Sequence, residues 1–218
     1  MKISPNDSKT PLLLEAAANF KSETPRYKAH FSLPKNRAGS RGFGAKVYGV
    51  CTLIREDLIE KENIETKEVD WDIEGRVLIS SLEVSKVVII NGYWVNGTSN
   101  PWKNLSTGEV LGTRHDAKRV FHKDMLDEME KWVLQGWDVI SLGDVNIARD
   151  IRDGWPGIRL GIEHVRNRKE FNELFFESYQ GDGTTKTAWA DAWRELRGEE
   201  RAYTYYGRDG TWGQSCDR

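Results

Sequence analysis

The stretch VISLGDVNIARD, from Val139 to Asp150, sets a carboxylate and a carboxamide two residues apart behind an apolar run. Side chains on a strand alternate between faces, so Asp144 and Asn146 would point the same way from the end of a dry strand. Asp and Asn are poor strand residues, and beside Gly143 their position calls for either a turn or a site. Asp144 can ligate Mg²⁺ or take a proton from a water, and Asn146 offers an amide that orients an anionic phosphate oxygen. The pair suits phosphoryl chemistry; a strand-to-loop turn closed by Asx hydrogen bonds accounts for the same residues without any. A second apolar run, INGYWVNGTSNP, ends in the same manner, with Tyr93 and Asn96 at its carboxyl edge. The Tyr93 hydroxyl could donate to a phosphate oxygen or a leaving group, or it is an edge aromatic with a wet hydroxyl.

Strands must carry these residues. VYGVCTLI (Val47 to Ile54), RVLISSLEV (Arg76 to Val84) and KVVIINGYWVN (Lys86 to Asn96) are rich in β-branched and aromatic residues and read as strands. The first two are expected to pair antiparallel across the charged connection REDLIEKENIETKEVDWDIEG. A polar loop with Pro101 and Gly108 follows. In RHDAKRVFHKDMLDEMEKWVLQGW, Ala117, Phe121, Met125, Met129, Trp132 and Val133 recur at spacings of three and four, an amphipathic helix ended by Gly136. That helix leads at once into the strand Val139 to Asn146, an α/β unit with the polar pair at the carboxyl end, where open α/β sheets tend to place their sites. RNRKEFNELFFESY and DAWRELRG read as helices, the second stopped by Gly198, and RAYTYYGRDGTWGQSCDR as an aromatic strand and turn region. KNRAGSRGFGAK, Lys35 to Lys46, has no period and reads as a loop.

The chain of 218 residues is 38% hydrophobic and 11% aromatic, enough to bury a sizeable core in one domain. Residues 1–44 are expected to be irregular or partly ordered, and residues 45–218 to form the domain. A net charge of −2 gives no global drive toward nucleic acid or membranes, so affinity for a polyanion must come from a local patch or a metal. Cys51 and Cys216 make no disulfide framework and fit a reducing compartment, cytosol or nucleus. The N-terminus shows neither a signal peptide nor a membrane span, so an intracellular place is expected. The sequons at Asn96 and Asn104 are read as chance.

Five blocks in order resemble the exonuclease III type of apurinic/apyrimidinic endonuclease, within the endonuclease/exonuclease/phosphatase (DNase I-like) superfamily. VYGVCTLIRED resembles the family's YSGVAI strand, DWDIEGRVLI its D-x-E-G-R strand, NGYWVN its N-x-Y-x-P-N, LGDVNIARD its G-D-x-N-x-A, and YTYY its Y-T-[FW]-W segment. The resemblance covers roughly residues 45 to 218. It implies an α/β (α+β) four-layer sandwich, two packed mixed β-sheets flanked by helices, and Mg²⁺-dependent hydrolysis of DNA phosphodiesters, with Mn²⁺ as an alternative ion. It further implies that Asp144 is a metal ligand that activates or orients the attacking water, and that Asn146 holds the scissile phosphate. Tyr93 would stand near the leaving group, Asn96 would help bind the phosphate, and Tyr205 and Tyr206 would pack around an extruded sugar. The implied substrate is abasic duplex DNA and the implied state a monomer.

The pattern breaks at both ends. The family's N-[IVL]-N-G strand and the Q-E-T that supplies its metal-binding glutamate are absent, and Glu15, followed by Ala, does not replace the latter. Arg218 aligns with the arginine of R-[IVL]-D-Y, so the chain is expected to stop before the structural aspartate and the catalytic histidine; a one-step shift would make Asp217 that aspartate. His30, His115, His122 and His164 are expected on the solvated surface. A chain incomplete at both termini, with weak or no activity, is therefore expected. Two alternatives stand beside this reading. SCDR resembles the W-C-D-R of inositol polyphosphate phosphatases, which share G-D-x-N; and a non-catalytic nucleic-acid-binding fragment could use Arg41, Lys46, Arg114, Lys118 and Arg119 on phosphates.

Overall fold

The computed structural model describes residues 26–35, 49–155, 157–177 and 189–204. The chain divides into two units, one of Met1–Tyr93 with Lys131–Gly143, the other of Trp94–Glu130 with Asp144–Arg218.

In the first unit, β1 (Tyr27–Ser32) pairs antiparallel with β2 (Val50–Arg55), setting Phe31 opposite Cys51. The sequence did not single out β1. Nor does β2 pair with the Arg76 to Val84 strand as expected: the connection folds instead into helix α1 (Glu56–Glu62) and strand β3 (Ile64–Lys67). Acidic residues open α1, Lys61 lies in its last turn, and Asn63 closes it in the left-handed conformation, an arrangement that complements the helix dipole. Strand β3 pairs antiparallel with β4 (Val77–Leu82), taking the place β2 was expected to fill.

Five consecutive residues of β4 are buried, the signature of a strand covered on both faces. Strand β5 (Val87–Tyr93) pairs antiparallel with β4, setting Ile79 against Ile90, and alternates buried and half-buried residues. Strand β8 (Asp138–Asp144) lies beside β5 in the order β3-β4-β5-β8. The Asp138 N–H donates to the Lys86 carbonyl and Gly143 meets Gly92, so the two strands run in the same direction and the sheet is mixed. The mixed sheet and the helices give the α/β class the sequence implied. One expectation fails: β8 is not dry. Ile140 and Leu142 are 51% and 44% exposed, on one face of a strand that ends the order among the described residues.

In the second unit, the expected polar loop holds a short hairpin, β6 (Pro101–Lys103) and β7 (Val110–Thr113). The Asn104 side chain accepts from the N–H groups of Ser106 and Thr107, which folds the turn between them. Helix α2 (Arg114–Leu134) follows, its last turn belonging to the first unit. Ala117, Phe121, Met125, Met129 and Trp132 are buried as expected, while Val133 is only half-buried. Gly136, at φ 81, ends the helix. Helices α3 (Ile162–Phe175) and α4 (Ala192–Arg197) follow, the latter capped by the Asp191 side chain and stopped at Gly198. Trp94, Phe121, His122, Phe171 and Phe175 meet edge to face or tilted, at 4.8–5.9 Å between centroids, and form its aromatic core.

Candidate active site

Strands β5 and β8 end at Tyr93 and Asp144. In the first unit, the turn before β4 is built on Asp72, whose buried carboxylate accepts from the main-chain N–H groups of Glu74, Arg76 and Val77. Burial pushes the Asp72 pKa up, against the pull of those three donors. The turn aims Arg76, which pairs with Glu74 at 2.6 Å, donates to the Tyr93 carbonyl at 3.0 Å and lies 5.2 Å from the Tyr93 ring. The D-x-E-G-R block therefore shapes the end of the strand that carries Tyr93. Asn91, the first residue of NGYWVN, ties β5 to β2 through the Cys51 carbonyl and the Thr52 hydroxyl.

In the second unit, the strand alternation expected for Asp144 and Asn146 does not hold. Strand β8 stops at Asp144, and Asn146 is left-handed, at φ 54. The two are brought together by a turn: the Asn146 N–H donates to Asp144 Oδ1 at 3.2 Å, the Asx geometry that is the other reading of this sequence. The Asn146 side chain is fixed as well, since Nδ2 donates to the Trp94 carbonyl at 2.9 Å, and the Trp94 N–H donates to the Asp144 carbonyl at 2.9 Å. Asp144 is exposed and Asn146 half-buried, so a rigid polar pair faces solvent.

Beyond the pair, Ile147 and Ala148 are buried and the chain is pinned by charge. Arg149 pairs with Asp191 at 2.6 Å, and its guanidinium lies 3.4 Å from the Phe176 ring centroid. Buried Asp153 pairs with Arg194 and accepts from the Arg149 N–H. The Arg152 guanidinium beside Asp150 holds its carboxyl down to about 2.

Several expected residues stand elsewhere. Lys118 is 3% exposed and donates to the Asn146 carbonyl, so it is not a surface phosphate contact. Arg119 is committed to Asp116, Glu163 and Glu170. His115 and His122 are buried, not solvated: His115 shares a hydrogen bond with Asn167 at 2.9 Å, and His122 is sealed among Trp94 and Phe171. His164 packs on the His115 ring and is half-buried, as is His30. The sequence carried a signal for this inward face, because Lys118, His122, Met125 and Met129 follow at spacings of four, three and four, one stripe of a helix. Asn96 is exposed. Tyr205, Tyr206, Glu15, Arg41, Lys46, Cys216, Asp217 and Arg218 lie outside the described residues.

A cation of the Mg²⁺ kind takes one or two carboxylates and completes its shell with waters and substrate phosphate. Asp144 offers one such carboxylate, and among the described residues no group of three His, Cys, Asp or Glu forms a closed cage.

No family model matches the chain, and no curated protein matches it. Among solved structures, it is similar to a 3′-5′ exonuclease (NExo) from Neisseria meningitidis, at 16% identity and TM-score 0.42, over 70% of this chain and 53% of that one. It is similar to an AP endonuclease from Archaeoglobus fulgidus, at 18% identity and TM-score 0.49, over 84% of this chain and 59% of that one. A third is the 3′ phosphatase NExo from Neisseria bound to product DNA hairpin, at 14% identity and TM-score 0.41, over 82% of this chain and 72% of that one. The chain thus spans little more than half the length of the first two.

Proposed function

We propose that the protein is a phosphodiesterase of the exonuclease III type, acting in DNA repair on abasic duplex and, as a second activity, on 3′ ends. The observation that carries the reading is the fixed polar pair at the end of β8, where Asn146 is held by Asp144 and by the Trp94 carbonyl. The five ordered sequence blocks support it, and two of them contain Tyr93 and Asp144.

In this reading water adds to phosphorus while the bond to the leaving sugar oxygen breaks. Asp144 orients the water and takes its proton as the new P–O bond forms. One Asn146 Nδ2 hydrogen is committed to Trp94, and the other donates to a non-bridging phosphate oxygen without reorganisation. Tyr93 donates its hydroxyl proton toward the departing oxygen, and Asn96 binds the phosphate alongside. Asp144 would hold Mg²⁺ or Mn²⁺, which when bound would neutralise phosphate charge and acidify the water.

The test is incubation of the full chain with a duplex bearing one abasic-site analogue and, in parallel, with an inositol polyphosphate. Slow nicking that EDTA abolishes is expected. Phosphate release from the inositol compound without nicking would transfer the chain to the phosphomonoesterase branch, and binding without cleavage would make it a non-catalytic binder.

A further inference from the structure

Lysine is almost never buried unless paired, because its compact ammonium is strongly hydrated. Lys118 nevertheless sits at 3% exposure on α2. Its ammonium donates to a main-chain atom, the carbonyl of Asn146, 28 residues further along the chain. That carbonyl belongs to a residue in the left-handed region, which L side chains enter at a cost and which Asn tolerates better than most.

We propose that Lys118 is a positioning residue of the β8 site, a buried clamp that fixes the Asn146 peptide while Trp94 fixes its side chain and Asp144 its N–H. Each of the three groups Asn146 can offer, N–H, side-chain amide and carbonyl, then has a partner. The carbonyl begins the peptide that leads to buried Ile147 and Ala148. A charged donor gives a stronger and shorter bond than a neutral one, which suits a contact that must set a peptide plane.

The surroundings keep the charge on that task. One turn further along the same face, His122 is fully buried, and neither of its ring nitrogens has a hydrogen-bond partner. Burial first, then the charges of Lys118 and Arg119, keep it neutral. The clamp therefore works in a dry, aromatic setting next to Trp94, where a hydrogen bond is worth more than in water. Removing the ammonium leaves the Asn146 peptide free to leave the left-handed conformation, and the amide that meets the phosphate turns with it.

This inference rests on the proposed phosphodiesterase reading for its effect on rate, but not for its effect on structure. The experiment compares wild type with Lys118→Met by single-turnover cleavage of the abasic duplex and by the Cα and Cβ NMR shifts of Asn146. Lys118→Met should lower the rate constant at least tenfold, with KM within twofold, and move the Asn146 shifts off left-handed values. If wild type cleaves nothing, the functional reading fails and the Asn146 shifts still decide the clamp. Unchanged Asn146 shifts in the variant overturn the clamp, whatever the cleavage does. Should Lys118→Met fail to fold, reductive methylation of wild type decides: protection of Lys118 until the protein is denatured supports the clamp, and labelling as fast as surface lysines overturns it.

Discussion

Replacing Gly143 by alanine should destabilise the protein by about 3–5 kcal/mol, a sum of two separable effects. Gly143 has φ +126, a conformation L side chains rarely adopt, and the strain of holding one there is about 1–3 kcal/mol. The added Cβ would lie 1.9 Å from the Gly92 carbonyl oxygen and 2.9 Å from its carbon, both of them backbone of β5. That strand cannot yield, since Val88 and Ile90 are fully buried in it. So β8 must retreat by roughly 1 Å, beyond hydrogen-bond tolerance for its nearest contacts with β5, at about 1 kcal/mol for each bond lost. Gly136→Ala is the control: φ is +81 but nothing lies within 4 Å, so only the backbone cost of about 1–2 kcal/mol remains. Urea unfolding followed by tryptophan fluorescence and by circular dichroism measures both. A Gly143→Ala variant no less stable than Gly136→Ala would refute the close approach of β8 to β5.

Asp72→Ala strands three main-chain donors in a buried turn and should cost about 3 kcal/mol or more, with Asp72→Asn costing less, both read by urea unfolding. Met125→Ala empties a fully buried position on α2 and should cost about 2–5 kcal/mol by the same assay. His122 gives a pH dependence whose sign follows from burial. Its folded pKa lies well below 6.5, so the unfolded chain binds its proton first, and stability is full above that value and lost as pH falls below it. The slope should approach about 1.4 kcal/mol per pH unit, and His122→Leu should flatten it; equal slopes in both proteins would contradict the buried, neutral histidine.

Composition and periodicity made much of the fold legible. The β4 and β5 strands show in the sequence through their β-branched and aromatic residues, and the long α2 helix through apolar residues that repeat at spacings of three and four. The hairpin β6-β7 and strand β1 do not, being short and made where polar turn chemistry or a distant partner decides the structure. The pairing of β2 failed for the same reason: strand partners are chosen by tertiary packing, which a linear pattern does not contain. At the site, residue types pointed to the place but not to the geometry. Alternation put Asp144 and Asn146 on one face, whereas a left-handed Asn146 and an Asx bond bring them together. Lys118 shows a different failure: a lysine reads as surface by type, and only its register with His122 and Met125 marks it as inward.

The most direct test of the central claim is cleavage of an abasic-analogue duplex in Mg²⁺ by the wild-type chain and by Asp144→Ala, the two matched for fold by circular dichroism. Asp144 is exposed at a strand end, so the variant should stay folded while EDTA-sensitive nicking falls at least a hundredfold, the scale of losing a general base. Nicking by the folded variant at the wild-type rate would contradict the account.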